Sequence, residues 1–378
     1  MNIRLRFIAF YILITSLFNC QQAPFTYKKE PKSLLNLYES RKSDNNEADK
    51  IVYYDLTLSL PKNYSKKGNV DYTDIIQEVL RKKENVKFPD FPLLINSKGL
   101  FIKDNSKLFF QPNSLIIVKP DERPKNDIQN IKDWYDIIRV YKVQNVTIFN
   151  PKIIGDRIKH VGEKGEWGAG IGIRNSKNIA VYNANIKNTW GEGIFIGSED
   201  GGFCENISIK NAQIDYARRN GIAITSGKNI FLENILVTNI FGTNPMFGID
   251  IEPSWYKDII ENVNLKDIIT FNNRNGGIYV VLYGLSTDDP QYKKNVTINI
   301  DNHFDESSPY AFGFLNNKDK KKYDPIGNIN IKNGNWKSDK NQFIDSQNDT
   351  RQIKLNIQNI VTERTDNKQK KILNRKNF

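Results

Sequence analysis

The sequence predicts an all-β parallel β-helix, a single-stranded solenoid closed at its N-terminal end by a capping helix. Three observations carry this. The pattern Asn-(Ile/Val)-x-(Ile/Leu)-x-(Asn/Asp) recurs at Asn145 (NVTIFN), Asn178 (NIAVYN, with Val in the fourth slot), Asn206 (NISIKN), Asn229 (NIFLEN), Asn262 (NVNLKD), Asn295 (NVTINI, last slot lost) and Asn328 (NINIKN). These copies are spaced by 33, 28, 23, 33, 33 and 33 residues, and a weaker echo, QIKLNI from Gln352, follows 24 residues later. A second signature leads the units: GIGIR from Gly170, GIFIG from Gly193, GIAIT from Gly221, GIDIE from Gly248 and GIYVV from Gly277. Both alternate with period two, so each is a short strand with one inward face. Between Asn145 and Asn333 no sustained helical period competes. Propeller blades need about 40 residues with hairpin turns, which the sequence lacks.

The elements follow in chain order. Arg4 and Arg6 precede an apolar run over residues 7–18, too short to span a bilayer (~20 residues) and suited to a secretory signal. The run ends at Leu17-Phe18-Asn19-Cys20, similar to a bacterial lipoprotein box with an imperfect residue before the cysteine. Residues 1–19 are thus expected to be a signal peptide and Cys20 a lipidation site, placing the protein in the cell envelope on a lipid anchor. If Cys20 is not acylated, the product is secreted or periplasmic. Residues 20–64 are expected to be a tether and N-terminal extension. In residues 71–83 (DYTDIIQEVLRKK), Ile75, Ile76, Val79 and Leu80 share one helical face and predict the cap. GLFI at Gly99 and NSLIIV at Asn113 are read as the earliest coils of a β-helix domain over 65–362. The repeated asparagines are expected to stack at turns, each amide bonding the coil above or below. Residues 363–378 are expected to be a disordered tail, in which residues 364–378 carry six basic residues against Asp366.

The 378 residues carry 55 Lys+Arg against 43 Asp+Glu, a formal charge of +12. Charge of this sign suits nucleic acid, anionic lipid or acidic polysaccharide. Export removes nucleic acid from the expected partners, which leaves a polysaccharide and the membrane reached through the anchor; a monomer is expected. The two histidines exclude a His-rich metal centre. The two cysteines allow at most one disulfide, and with Cys20 acylated Cys204 is a lone buried residue.

The tandem G-I-x-I and N-I-x-I units, with the helix and early coils, resemble the right-handed parallel β-helix proteins of the pectate-lyase-like superfamily. Within it the chain is similar to bacterial proteins that carry Gly155-Asp156-Arg157 with His160, Gly165-Glu166-Trp167-Gly168, Arg218-Arg219-Asn220-Gly221-Ile222 and residues 248–253 (GIDIEP). The resemblance implies a carbohydrate-active protein and leaves the reaction open among lyases, glycoside hydrolases, epimerases, esterases and non-catalytic surface proteins.

Asp250 and Glu252 alternate with Ile249 and Ile251, so both are expected to face outward, about 6.5–7 Å apart along the strand. Such a pair suits the acid and base of an inverting glycosidase, or can share a cation such as Ca²⁺; no other cofactor follows. The alternative is a solvated polar strand paired with arginines. Tyr279, on the same face of the next coil, is a candidate sugar contact. Arg218 and Arg219, in the turn before Gly221, are expected to bind an anionic substituent or to pair with Asp250 or Asp215. Glu192 beside Trp190 is a candidate general acid, and His160 in a glycine-rich insertion a candidate base. Trp167 and Glu166 share that insertion. Asp215, Tyr216 and Arg274 flank the site, and His303 reads as a loop residue. Hence the expected protein cleaves or modifies a polysaccharide, as a lyase or a glycoside hydrolase. The alternative is a non-catalytic glycan-binding scaffold, distinguished by whether Asp250, Glu252, Arg218 and Glu192 converge.

Overall fold

The computed structural model describes residues 24–43, 47–120, 136–161, 168–198, 200–315, 321–338, 343–345, 352–363 and 370–375. These residues form a parallel β-helix whose coils stack into a 16-stranded sheet and a nine-stranded sheet. The GIxI segments supply the short sheet. Ile194–Gly197, Ile222–Ile224, Phe247–Ile251 and Gly276–Val281 pair in parallel and in register, so Ile194, Ile222, Ile249 and Ile278 stack inward. All four are fully buried, as are Ile196, Ile224, Ile251 and Val280 behind them. The NIxI segments supply the long sheet, where Ile207, Ile230 and Val263 stack in the same way. One continuous apolar column runs from Leu56 to Ile360.

The asparagines hold the bends. Asn145, Asn178, Asn206, Asn229 and Asn262 have φ between 54° and 58°, a left-handed conformation that asparagine tolerates better than branched residues. Their side chains form a ladder, each amide donating to the carbonyl one coil earlier at 2.7–3.0 Å. A second ladder runs through Asn150, Asn183, Asn211 and Asn234. The helix Thr73–Lys82 closes the N-terminal end, burying Ile76, Val79 and Leu80. The coils begin earlier than the sequence suggests, at Asn85–Phe88 and Pro92–Ile95. Those strands lack the Asn and Gly marks of the later units and alternate only in burial.

Three further segments differ from expectation. Residues 24–43 lie against the long sheet as a strap. Phe25 stacks on Phe241 at 4.6 Å, and the helix Lys32–Ser40 buries Leu34 and Tyr38 against Leu236, Ile269 and Phe271. The helix is short, and its apolar residues Leu34, Leu35, Leu37 and Tyr38 span too few turns to establish a helical period in the sequence. At the other end Lys370–Arg375 forms an antiparallel strand on Ile353–Glu363, with Leu373 packed on the core. The final coil offers unpaired backbone groups, and the adjacent chain covers them. His303 lies in the strand Asn295–Glu306, fully buried and bonded to Thr270 Oγ1 and Trp336 Nε1. A polar inward slot mimicked a broken repeat. Burial lowers its pKa to about 3, so it is neutral there.

Candidate functional site

The outward face of the short sheet is set by its register. Arg139, Gly172, Phe195, Ala223, Asp250, Tyr279 and Gly313 occupy one row across successive coils. The small residues of the row are covered rather than open, Ala223 packing with Phe195 and Ala169. The backbone at Gly172 passes so close to the Asp136 carboxylate that any Cβ there would collide with it.

Asp250 is only 2% exposed, although it points away from the apolar core. Asn220 Nδ2 donates to Asp250 Oδ2 at 3.0 Å, and Asn220 is itself fixed by accepting from the Phe247 N–H at 3.0 Å. Asp250 Oδ1 is buried without an amide or hydroxyl donor among the described residues. Glu252 is the neighbouring carboxyl that most opposes its ionisation. Burial pushes the Asp250 pKa well above the carboxylate range, reinforced by the charges of Glu252 and Glu192 and opposed by Arg219.

Arg219 Nη1 sits 2.5 Å from Glu192 Oε1. Burial nevertheless raises the pKa of Glu192, with Arg219 partly offsetting it. Tyr279, stacked on Phe247 at 4.4 Å, flanks the pair; burial and then the charges of Glu252 and Asp250 raise its pKa. So Glu192, Arg219, Asp250, Glu252 and Tyr279 converge on one face, with Arg219, Glu252 and Tyr279 half-buried and the other two buried.

Arg218 diverges from its neighbour. Its guanidinium lies 3.8 Å over the Trp190 ring, while His160 stacks on that ring at 3.6 Å from the preceding coil. Trp190 is thus held between two side chains and is no open sugar platform. His160 Nδ1 is 2.8 Å from Asp156 Oδ2, so the ring is oriented by Asp156 and Trp190 rather than by the Asp250 cluster. Because Trp190 and Glu192, and Arg218 and Arg219, are near neighbours in the chain, this stack borders the carboxyls along the turn. Asp215 accepts from Tyr27 Oη, Thr238 Oγ1 and Asn239 Nδ2, which makes it a bracket for the strap. Tyr216 packs under Arg157 at 3.7 Å, and the Arg274 N–H bonds the Ile240 carbonyl. Cys20, Glu166 and Trp167 lie outside the described residues. Cys204 is a buried free thiol, as expected.

A second buried polar cluster on this face was missed from the sequence. Asp136 accepts from Arg174 Nε and Nη2, Tyr141 Oη and the Ala169 N–H. Arg174 also lies 3.9 Å over Phe195. Tyr141 and Arg174 are register partners, a signal legible only once the coils are aligned. Among the described residues no group of three Asp, Glu, His or Cys side chains is arranged to hold a metal ion. A concavity of about 450 Å³ beside the capping helix, lined by Tyr54, Asp74, Glu78 and Lys82 among others, contains none of these carboxyls.

Residues 84–252 match the family described as Right handed beta helix region, which agrees with the parallel coils. Two Bacillus subtilis (strain 168) proteins are similar in sequence. Uncharacterized protein YclG is 27% identical over 170 residues, 41% of this chain and 27% of that protein. SPbeta prophage-derived uncharacterized protein YorA is 30% identical over 105 residues, 26% of this chain and 16% of that one. The chain therefore spans under a third of the length of these curated relatives. Among solved structures, a mutant tailspike protein of E. coli bacteriophage HK620 in complex with hexasaccharide superposes with a TM-score of 0.56 at 11% identity, covering 82% of this chain and 57% of that one. The polygalacturonase from Erwinia carotovora ssp. carotovora gives 0.51 at 15% identity, covering 79% and 91%. At such identities the likeness is one of fold.

Proposed function

We propose that this protein hydrolyses glycosidic bonds of a polysaccharide bound along the outward face of the short sheet. The observation that carries the reading is the buried Asp250 carboxyl, bonded by Asn220 and flanked by the half-buried Glu252, with the buried Glu192–Arg219 pair beside it. Taking several ionisable groups out of water costs several kcal/mol per ion. A structural ion pair needs matched charges, yet here Glu252 and Glu192 both oppose ionisation of Asp250 and Arg219 alone among its main influences favours it. A perturbed cluster of this kind is what acid/base chemistry requires.

In the proposed reaction the Asp250–Glu252 pair holds one proton. Glu252, the more exposed member, passes it to the leaving glycosidic oxygen, and the proton taken from the attacking water returns to the pair through solvent. Glu192, two coils away, serves as the opposing carboxylate that draws a proton from the attacking water. By register Glu192 lies two coils away and five residues back along the strand direction from Glu252, and its charge acts on Asp250 between them. An inverting acid and base need about 6.5–9.5 Å between their carboxyls for a water to fit. Tyr279 borders the sugar position. The convergence of these groups favours catalysis over a passive glycan-binding scaffold. The tailspike and the polygalacturonase support a saccharide ligand by the similarity of their folds. Export on a lipid anchor at Cys20 belongs to the same proposal, supported by the first twenty residues.

A screen of the purified protein against polyuronates, sulfated glycans and neutral glycans tests the reading. New reducing ends are expected from at least one glycan, without the absorbance of new double bonds. Double bonds would indicate elimination and remove hydrolysis. Release of neither product from any of the three classes would return the protein to a binding role.

A further inference from the structure

Three residues beyond Glu252 the chain enters a turn that leaves the short sheet, and this turn carries an exposed aromatic and lysine surface. Trp255 is 45% exposed. Its ring meets Tyr256 edge-on at 5.3 Å, and Tyr256 meets Tyr292 of the next coil at 5.2 Å. Lys257 Nζ lies 5.1 Å from the Trp255 ring centre and 5.8 Å from that of Tyr292. Lys294 Nζ lies 5.7 Å from Tyr292 and donates to the Lys257 carbonyl at 3.2 Å. One coil further, Lys293 and Lys322 sit 4.3 and 5.3 Å over Tyr323.

The surface is built rather than incidental. Beneath it the buried Asp258 carboxylate accepts from Ser198 Oγ and from the Ser254 and Trp255 N–H groups, fixing the turn. Lys257, Lys293 and Lys322 form no ion pair with a carboxylate among the described residues. The neighbouring acids are otherwise engaged: Asp288 with Lys321, Asp324 with Ser286, and Asp289 with the Gln291 N–H. Aromatic faces satisfy the apolar faces of sugar rings, and cations beside them satisfy anionic substituents. Successive strands are about 4.8 Å apart, so turns on three coils make a row rather than a single point.

We propose that Trp255, Tyr256, Lys257, Tyr292 and Lys293 form a subsite for an anionic polysaccharide, carboxylated or sulfated, which continues the groove beyond Glu252. The proposal rests on the reading of this face as a saccharide-processing groove, and it names the substrate class. Continuity with the carboxyls favours a glycan over single-stranded nucleic acid, whose bases and phosphates have similar needs.

The test measures binding of the full chain to polygalacturonate, dextran sulfate, unmodified dextran and a single-stranded oligonucleotide, with wild type, Trp255→Ala, Lys257→Gln/Lys293→Gln and Asp250→Asn. Unchanged melting midpoints establish that each variant is folded. Wild type is expected to bind polygalacturonate or dextran sulfate at least about tenfold more tightly than dextran, less so as salt rises. The arm that binds identifies carboxylate or sulfate. The lysine variant and Trp255→Ala are each expected to lose about tenfold, while Asp250→Asn binds as wild type does. Equal binding of dextran, tighter binding of the oligonucleotide, or no loss in the lysine variant overturns the subsite. Loss of turnover in Asp250→Asn alongside unchanged binding by the lysine variant would sink the subsite and leave the hydrolase standing. The reverse pattern would keep the subsite and sink the hydrolase.

Discussion

Replacing Asp250 with Asn, or Glu252 with Gln, is expected to lower turnover of the cleaved polysaccharide by about 10²–10⁴-fold with the fold intact. The amide at 250 still accepts the hydrogen bond from Asn220, so the cross-coil bracket survives. What it loses is the ability to exchange a proton with Glu252. Stability supplies a control of opposite sign. Burial raises the folded-state pKa of Asp250 above its ordinary 3.8. The wild-type fold therefore has its full stability contribution from this group below 3.8 and loses it as pH rises through the raised value. Asp250→Asn removes that loss, so the variant should melt no lower than wild type at neutral pH and higher in mildly alkaline buffer. A variant that melts lower while retaining turnover would make Asp250 a structural residue.

The largest stability effect is expected at Asp136, where a single carboxylate serves Arg174, Tyr141 and the Ala169 amide with no access to water. Asp136→Ala leaves the buried guanidinium of Arg174 without its carboxylate, and breaking such a pair costs about 3–5 kcal/mol. Tyr141→Phe removes only one hydrogen bond to that carboxylate and should cost about 1.5–3 kcal/mol. Denaturant titrations of both variants measure the difference. Similar small losses in the two would mean that Arg174 finds another partner, and that Asp136 is not the hub.

Backbone architecture was legible because it is written in period and residue type. Alternating Ile and Val fix the inward face, and an asparagine with positive φ recurs at many of the bends, so both marks survive in the linear sequence. The outward position of Asp250 and Glu252 followed from the same alternation. The burial of Asp250 did not, because it depends on what neighbouring coils place over that face. Arg218 and Arg219 were one motif in the sequence, yet successive residues at a turn point apart, one to Trp190 and the other to Glu192. The Asp136–Arg174 cluster was hidden for a different reason. Its members lie 38 residues apart, and only coil register brings them together. The strap over residues 24–43 was hidden because its apolar contacts fall within one short helix and a single phenylalanine, Phe25, too few to show a period.

The proposed acid/base role of this face requires an Asp250 carboxyl held protonated above the ordinary aspartate range. The carbon-13 NMR shift of the Asp250 carboxyl, followed against pH in aspartate-labelled protein and identified by its absence in Asp250→Asn, reads this directly. The account predicts a carboxyl that remains protonated after the exposed aspartates have ionised and that titrates well above the ordinary range. An Asp250 carboxyl that ionises together with the exposed aspartates, near 3.8, would contradict it.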